Sequence, residues 1–80
     1  MNKEEIKSKI KDIIVDKNGV DPEEVTDNAD FKSDLEMDSL DCFELIMEVE
    51  KEFGITTTDD EANKVSNLSD CVALVEKHLK

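Results

Sequence analysis

Few side chains in this sequence can do covalent chemistry, and they differ in their settings. Ser39 lies in Asp38-Ser39-Leu40-Asp41, where a hydroxyl directly follows an acid suited to capping a helix. As a catalytic nucleophile it has no base: the Gly-x-Ser-x-Gly turn is absent, and the one histidine, His78, lies near the far end of the chain. His78 is more simply a cation at a helix C-terminus. Cys42 and Cys71 are too few for a disulfide framework or a four-ligand metal site. No catalytic residue is assigned.

The acids raise the question of calcium. Asp16-Lys17-Asn18-Gly19-Val20-Asp21 begins like a calcium loop, but its Gly is fourth rather than sixth and its twelfth residue is Asp27 rather than Glu. Residues 27–38 contain no Gly. No metal ligand is assigned, although loose binding of divalent cations to the acidic surface fits the charge.

That charge is concentrated. The chain has 80 residues, 22 acids against 10 lysines and a net charge of −12. Residues 18–63 hold 16 acids and two lysines, Lys32 and Lys51, for a net of −14; the flanking segments are each weakly positive. Such a field repels nucleic acid and anionic membranes and steers basic protein surfaces. No run approaches the ~20 apolar residues that span a bilayer, and no leader peptide is visible. A cytoplasmic protein with reduced thiols is expected, and a monomer. A single domain over 1–80 is expected, too small for a deep cleft beside a full core.

The elements that would position Ser39 are helical. Ile6, Ile10, Ile13 and Ile14 form one stripe, which predicts a helix over 3–16 closed by Gly19. Residues 17–38 read as a long connection, with one turn capped by Asp21 at Asp21-Pro22-Glu23-Glu24-Val25 and anchors at Phe31 and Leu35. Asp38, with Asp41 three residues on, starts a second helix over 39–53, stopped by Gly54; its core face is Cys42, Leu45, Ile46, Val49 and Phe53. Thr58 to Glu61 is a capping-box pattern for a short third helix over 59–64. Asn67 or Ser66 caps a last helix over 68–79, with Leu68, Cys71, Val72, Val75 and Leu79 on its stripe. With no alternating pattern, the fold class is all-α: a small bundle of three longer helices plus one short helix. On the second helix Leu40, Glu44, Met47 and Lys51 form another line, flanked by Asp41, Glu48 and Glu50. An apolar and acidic face of this kind has the character of a docking surface.

Asp38-Ser39-Leu40-Asp41 resembles the attachment motif of acyl carrier proteins, the free-standing kind of type II fatty acid synthesis. Pro22-Glu23-Glu24-Val25-Thr26, Phe31, Asp34-Leu35, Glu44-Leu45, Met47, Glu52-Phe53 and the stretch Asp59 to Lys64 follow that family's order and spacing. The resemblance covers nearly the whole chain. It departs at Glu36, where the family usually has Gly, at Thr57-Thr58 in place of Ile-Pro, and at Lys51 in place of an acid.

The resemblance implies a carrier rather than an enzyme. Ser39 would bear a covalent 4′-phosphopantetheine derived from coenzyme A, with Asp38 as the helix cap beside it. A phosphodiester there would face the unpaired N–H groups of a helix start. The modifying partner would be a phosphopantetheinyl transferase, the holo-carrier synthase. Fatty acid synthesis enzymes with basic docking patches would meet Leu40, Asp41, Glu44, Met47, Glu48 and Glu50. Cys42, Leu45, Ile46, Val65 and Val72 would wall an acyl pocket, with the short third helix as a gate held by few apolar anchors: Ile55, Ala62 and Val65. Carriers of polyketide, peptide or D-alanine pathways share the same serine.

Overall fold

The computed structural model describes residues 2–79. It contains α1 (Lys3–Asn18), a 3₁₀ turn (Pro22–Glu24), α2 (Ser39–Phe53), α3 (Asp59–Asn63) and α4 (Leu68–Leu79). No strand occurs among the described residues, so the all-α expectation holds. None of these helices is long and apolar enough to cross a membrane.

Each helix begins where a side chain can take up free backbone N–H groups. The Asn2 side chain accepts from the Glu5 N–H at 2.9 Å. The Asp41 N–H donates to Asp38 Oδ1 at 2.8 Å while the Asp38 N–H donates to Asp41 Oδ2 at 3.2 Å, a reciprocal capping box. Thr58 and Glu61 repeat the device at α3, at 3.1 and 3.0 Å. Asn67 accepts from the Asp70 N–H at 2.8 Å and starts α4. Gly19 and Gly54 both have φ 66°, the left-handed stop that glycine adopts without penalty.

Several boundaries differ slightly from the periodicity. α1 runs two residues past 16 because the first left-handed residue is Gly19, whose N–H reaches the Val15 carbonyl at 3.0 Å. α3 ends at Asn63, with Lys64 as its C-cap. Asp21 does sit at the cap of the 3₁₀ turn, but its side chain makes no capping bond.

Ile6, Ile10 and Ile14 of α1 pack with Leu45, Ile46 and Val49 of α2. Leu68, Cys71, Val72 and Val75 of α4 close the core. Burying one such side chain stabilises by about 1.5–3 kcal/mol. Ile13, Cys42 and Phe53 are only partly buried against this core, and Leu79 is exposed.

The long connection is pinned down along its length. Phe31 and Leu35 are buried as expected, and Val25 and Met37 join them. The Phe31 N–H donates to the Ser66 carbonyl and the Met37 N–H to the Phe31 carbonyl, both at 2.8 Å. Asp30 Oδ1 accepts from the N–H groups of Lys32 and Ser33 at 2.9 and 3.0 Å. Those bonds hold the Asp30 carboxyl below its ordinary pKa, the Ser33 bond most. Glu36 has φ 57°, the only left-handed non-glycine among the described residues. A residue with a Cβ costs roughly 1–2 kcal/mol in that region. The departure from Gly at this position therefore carries backbone strain.

Candidate functional site

Ser39 is the first residue of α2 and is exposed. The capping box takes up the Asp41 N–H, and the Cys42 N–H reaches the Asp38 carbonyl at 3.1 Å. The N–H groups of Ser39 and Leu40 have no partner within the described residues. The hydroxyl thus lies exposed at a capped helix start where the local dipole favours an anion. An exposed hydroxyl on such a start fits a phosphodiester.

Beside Ser39 lies a crevice of about 100 Å³, lined by Lys32, Cys42, Phe43, Ile46, Ala62, Asn63 and Val65. A neighbouring hollow of about 110 Å³ shares Lys32, Cys42, Asn63 and Val65 and reaches Phe31 and Ser66. Of the expected pocket walls, Cys42, Ile46 and Val65 line this space. Leu45 and Val72 do not: they are sealed in the core at 0% and 1% exposure. Leu45 is turned roughly 100° around the α2 axis from Ile46, toward the interior. A wider hollow of about 290 Å³ opens between α3 and α4 near Leu74 and Lys77, and Ser39 does not line it.

Both thiols resist ionisation. Burial raises the pKa of Cys42, and it pushes that of Cys71 up to about 12. The thiolate is the reactive form, so neither cysteine is a ready nucleophile.

The outer side of α2 carries Leu40, Met47 and also Phe43, exposed at 63%, 52% and 55%. Phe43 stands outside the line of Leu40, Glu44, Met47 and Lys51, yet it lies three residues after Leu40 and four before Met47, which is the spacing of one helix face. Asp41 and Glu48 are half-buried and Glu44 is exposed; Lys17 Nζ lies 3.9 Å from Glu44. Glu50 departs from the expected line. Its Oε2 accepts from the Thr57 N–H at 2.6 Å and the Thr57 hydroxyl at 2.9 Å, so it braces the loop between α2 and α3.

Glu61 also has an engagement that the sequence did not reveal. Besides the Thr58 N–H it meets Lys77 Nζ at 2.9 Å and His78 Nε2 at 3.1 Å. The Thr58 bond first, then Lys77 and His78, bring its pKa down to about 2. His78, read as a lone terminal cation, thus faces an acid on α3.

A family model described as a phosphopantetheine attachment site matches residues 8–75. The chain is 49% identical over 78 residues to an acyl carrier protein of Rubrobacter xylanophilus, covering 98% of this chain and 96% of that one. It is 44% identical over 78 residues to an acyl carrier protein of Lactobacillus acidophilus, covering 98% of each. A solved acyl carrier protein from Enterococcus faecalis shares the fold with a TM-score of 0.82 at 31% identity, over 98% of this chain and 99% of that one. The helical bundle, the capped serine and these near end-to-end matches lead to one conclusion: the chain belongs to the acyl carrier proteins, carriers that bear phosphopantetheine and work with partner enzymes.

Proposed function

We propose that this chain carries acyl intermediates of fatty acid biosynthesis, in the cytoplasm, as thioesters on a 4′-phosphopantetheine arm joined to Ser39 Oγ. The observation that carries this reading is the exposed Ser39 hydroxyl at the capped start of α2, at the mouth of a crevice walled partly by Cys42, Ile46 and Val65. The arm, when attached, supplies the thiol that holds the acyl group. The chain's own part is to present Ser39, to offer the crevice, and to be recognised.

Recognition is assigned to the α2 face. Leu40, Phe43 and Met47 give apolar contact, and Asp41, Glu44 and Glu48 give charge for the basic patches of a phosphopantetheinyl transferase and of synthesis enzymes. Glu50 is left out because Thr57 occupies it.

Incubation with such a transferase, coenzyme A and magnesium should add one phosphopantetheine by intact mass, and Ser39→Ala should abolish the addition while leaving stability within about 0.5 kcal/mol, as exposed sites do. Addition that persists in Ser39→Ala, or that maps to Ser33 or Ser69, rejects the assignment. The masses of acyl forms recovered from native cells distinguish fatty acids from polyketide, peptidyl or D-alanyl cargo.

A further inference from the structure

An anion on Ser39 is favoured by the helix start but opposed by the charges of the surrounding side chains. It lies between Asp38 and Asp41, inside a segment of net charge −14. Only two lysines belong to that segment, and Lys51 is twelve residues along α2, roughly 18 Å away at the helical rise. The other is Lys32, which borders the same crevice as Ser39.

Lys32 is well placed to answer that charge. Its side chain is exposed, and no acid lies within ion-pair distance of its ammonium among the described residues. Its backbone is fixed by the bond to Asp30, and its neighbour Phe31 is buried at 1% exposure and bonded to Ser66 and Met37. Its positive charge acts on the Cys42 thiol across the crevice, opposing the upward push of burial. Beyond Lys32 the crevice continues past Cys42, Asn63 and Val65 into the second hollow.

We propose that Lys32 is a positioning residue for the prosthetic arm: its ammonium pairs with the Ser39 phosphodiester and directs the arm into the crevice toward Cys42 and Val65. The proposal rests on attachment at Ser39. An ammonium and a phosphodiester at an exposed site attract weakly and are screened by salt, so Lys32 biases the direction of the arm without locking it.

Phosphorus NMR of the phosphopantetheinylated chain tests this. In the wild type the ³¹P resonance should move as salt is raised, and cross-peaks should link the arm's geminal methyls to Val65. Lys32→Gln should shift the ³¹P resonance, remove its salt dependence and weaken those cross-peaks. Lys32→Arg should restore all three, and Lys51→Gln should change none. A ³¹P resonance and salt dependence that are the same in wild type and Lys32→Gln overturn the role of Lys32. A wild-type chain that takes no added mass on treatment overturns the attachment reading itself, so the two failures are told apart before the spectrum is recorded.

Discussion

α2 and α3 begin with the same device and come to opposite ends. Both open with a reciprocal capping box, Asp38 with Asp41 and Thr58 with Glu61. α2 then runs 15 residues and buries Leu45, Ile46 and Val49; α3 runs five and buries none. A cap decides where a helix starts, whereas its persistence depends on length and on apolar area removed from water. α2 is accordingly a platform, on which the serine and the proposed docking face keep fixed positions. α3 is a strap, held by Glu61 reaching to Lys77 and His78 and by the partly buried Ala62.

The contrast can be broken most forcefully on the platform. Glu44→Lys or Glu48→Lys should slow phosphopantetheine transfer from coenzyme A by the transferase, or acyl transfer to a synthase, about tenfold at low salt, with the difference shrinking as salt rises. Met47→Ala and Phe43→Ala should slow it several-fold while costing about 0.5 kcal/mol or less in urea unfolding, because both side chains are half exposed. Unchanged transfer rates at low salt would remove α2 as the docking face.

Glu50→Gln should behave differently. It should leave docking nearly intact but lower stability by about 1–2 kcal/mol in urea unfolding, because the carboxylate bonds to Thr57 are lost or weakened. An effect on docking larger than that of Glu44→Lys would return Glu50 to the partner face.

Glu61→Gln sharpens the comparison at the strap. Amide exchange at 59–65 should quicken several-fold while exchange in α2 stays slow. An eight-carbon acyl form should slow the same amides if α3 gates the crevice, whereas equal exchange in both forms would leave α3 a bystander. The stabilising effect of Glu61 has a definite pH course. Its folded pKa, about 2, lies below the ordinary 4.5. The effect is therefore fully present above about pH 5 and fades as pH falls from 4.5 toward 2. The stability gap between wild type and Glu61→Gln should close over that range.

The smallest effect is expected just before the platform. Glu36→Gly should stabilise by about 0.5 kcal/mol, as relief of the left-handed strain exceeds the added freedom of the unfolded chain. Urea midpoints measure it, and destabilisation would show that the Glu36 side chain makes a contribution larger than the strain.

What could be read in the sequence follows from range. Helix starts and stops are local: Asp38-x-x-Asp41, Thr58-x-x-Glu61, Gly19 and Gly54 placed α2 outright and the other ends within two residues. The serine was legible for the same reason. Partners 16 or 17 residues away are not, so the sequence shows Glu61 only as a capping residue and His78 only as a cation at a helix end, when each answers the other. The Glu50 bond to Thr57 needed the direction in which the chain leaves Gly54. Periodicity separated the apolar faces of α2 but did not separate the crevice wall, Cys42 and Ile46, from sealed Leu45. Phe43 lies on that same periodicity, three residues from Leu40 and four from Met47.

Leu40, Phe43 and Met47 leave a greasy stripe open to water within a segment, residues 18–63, of net charge −14. Two copies meeting stripe to stripe would bring their surrounding acids together, and that repulsion opposes the dimer the stripe would otherwise favour. A surface with positive charge around an apolar hollow meets no such barrier. On the proposed docking reading the acids would act as a filter on identity: the stripe would stay sticky toward other proteins while identical carriers are held apart, and the filter would weaken wherever salt is high.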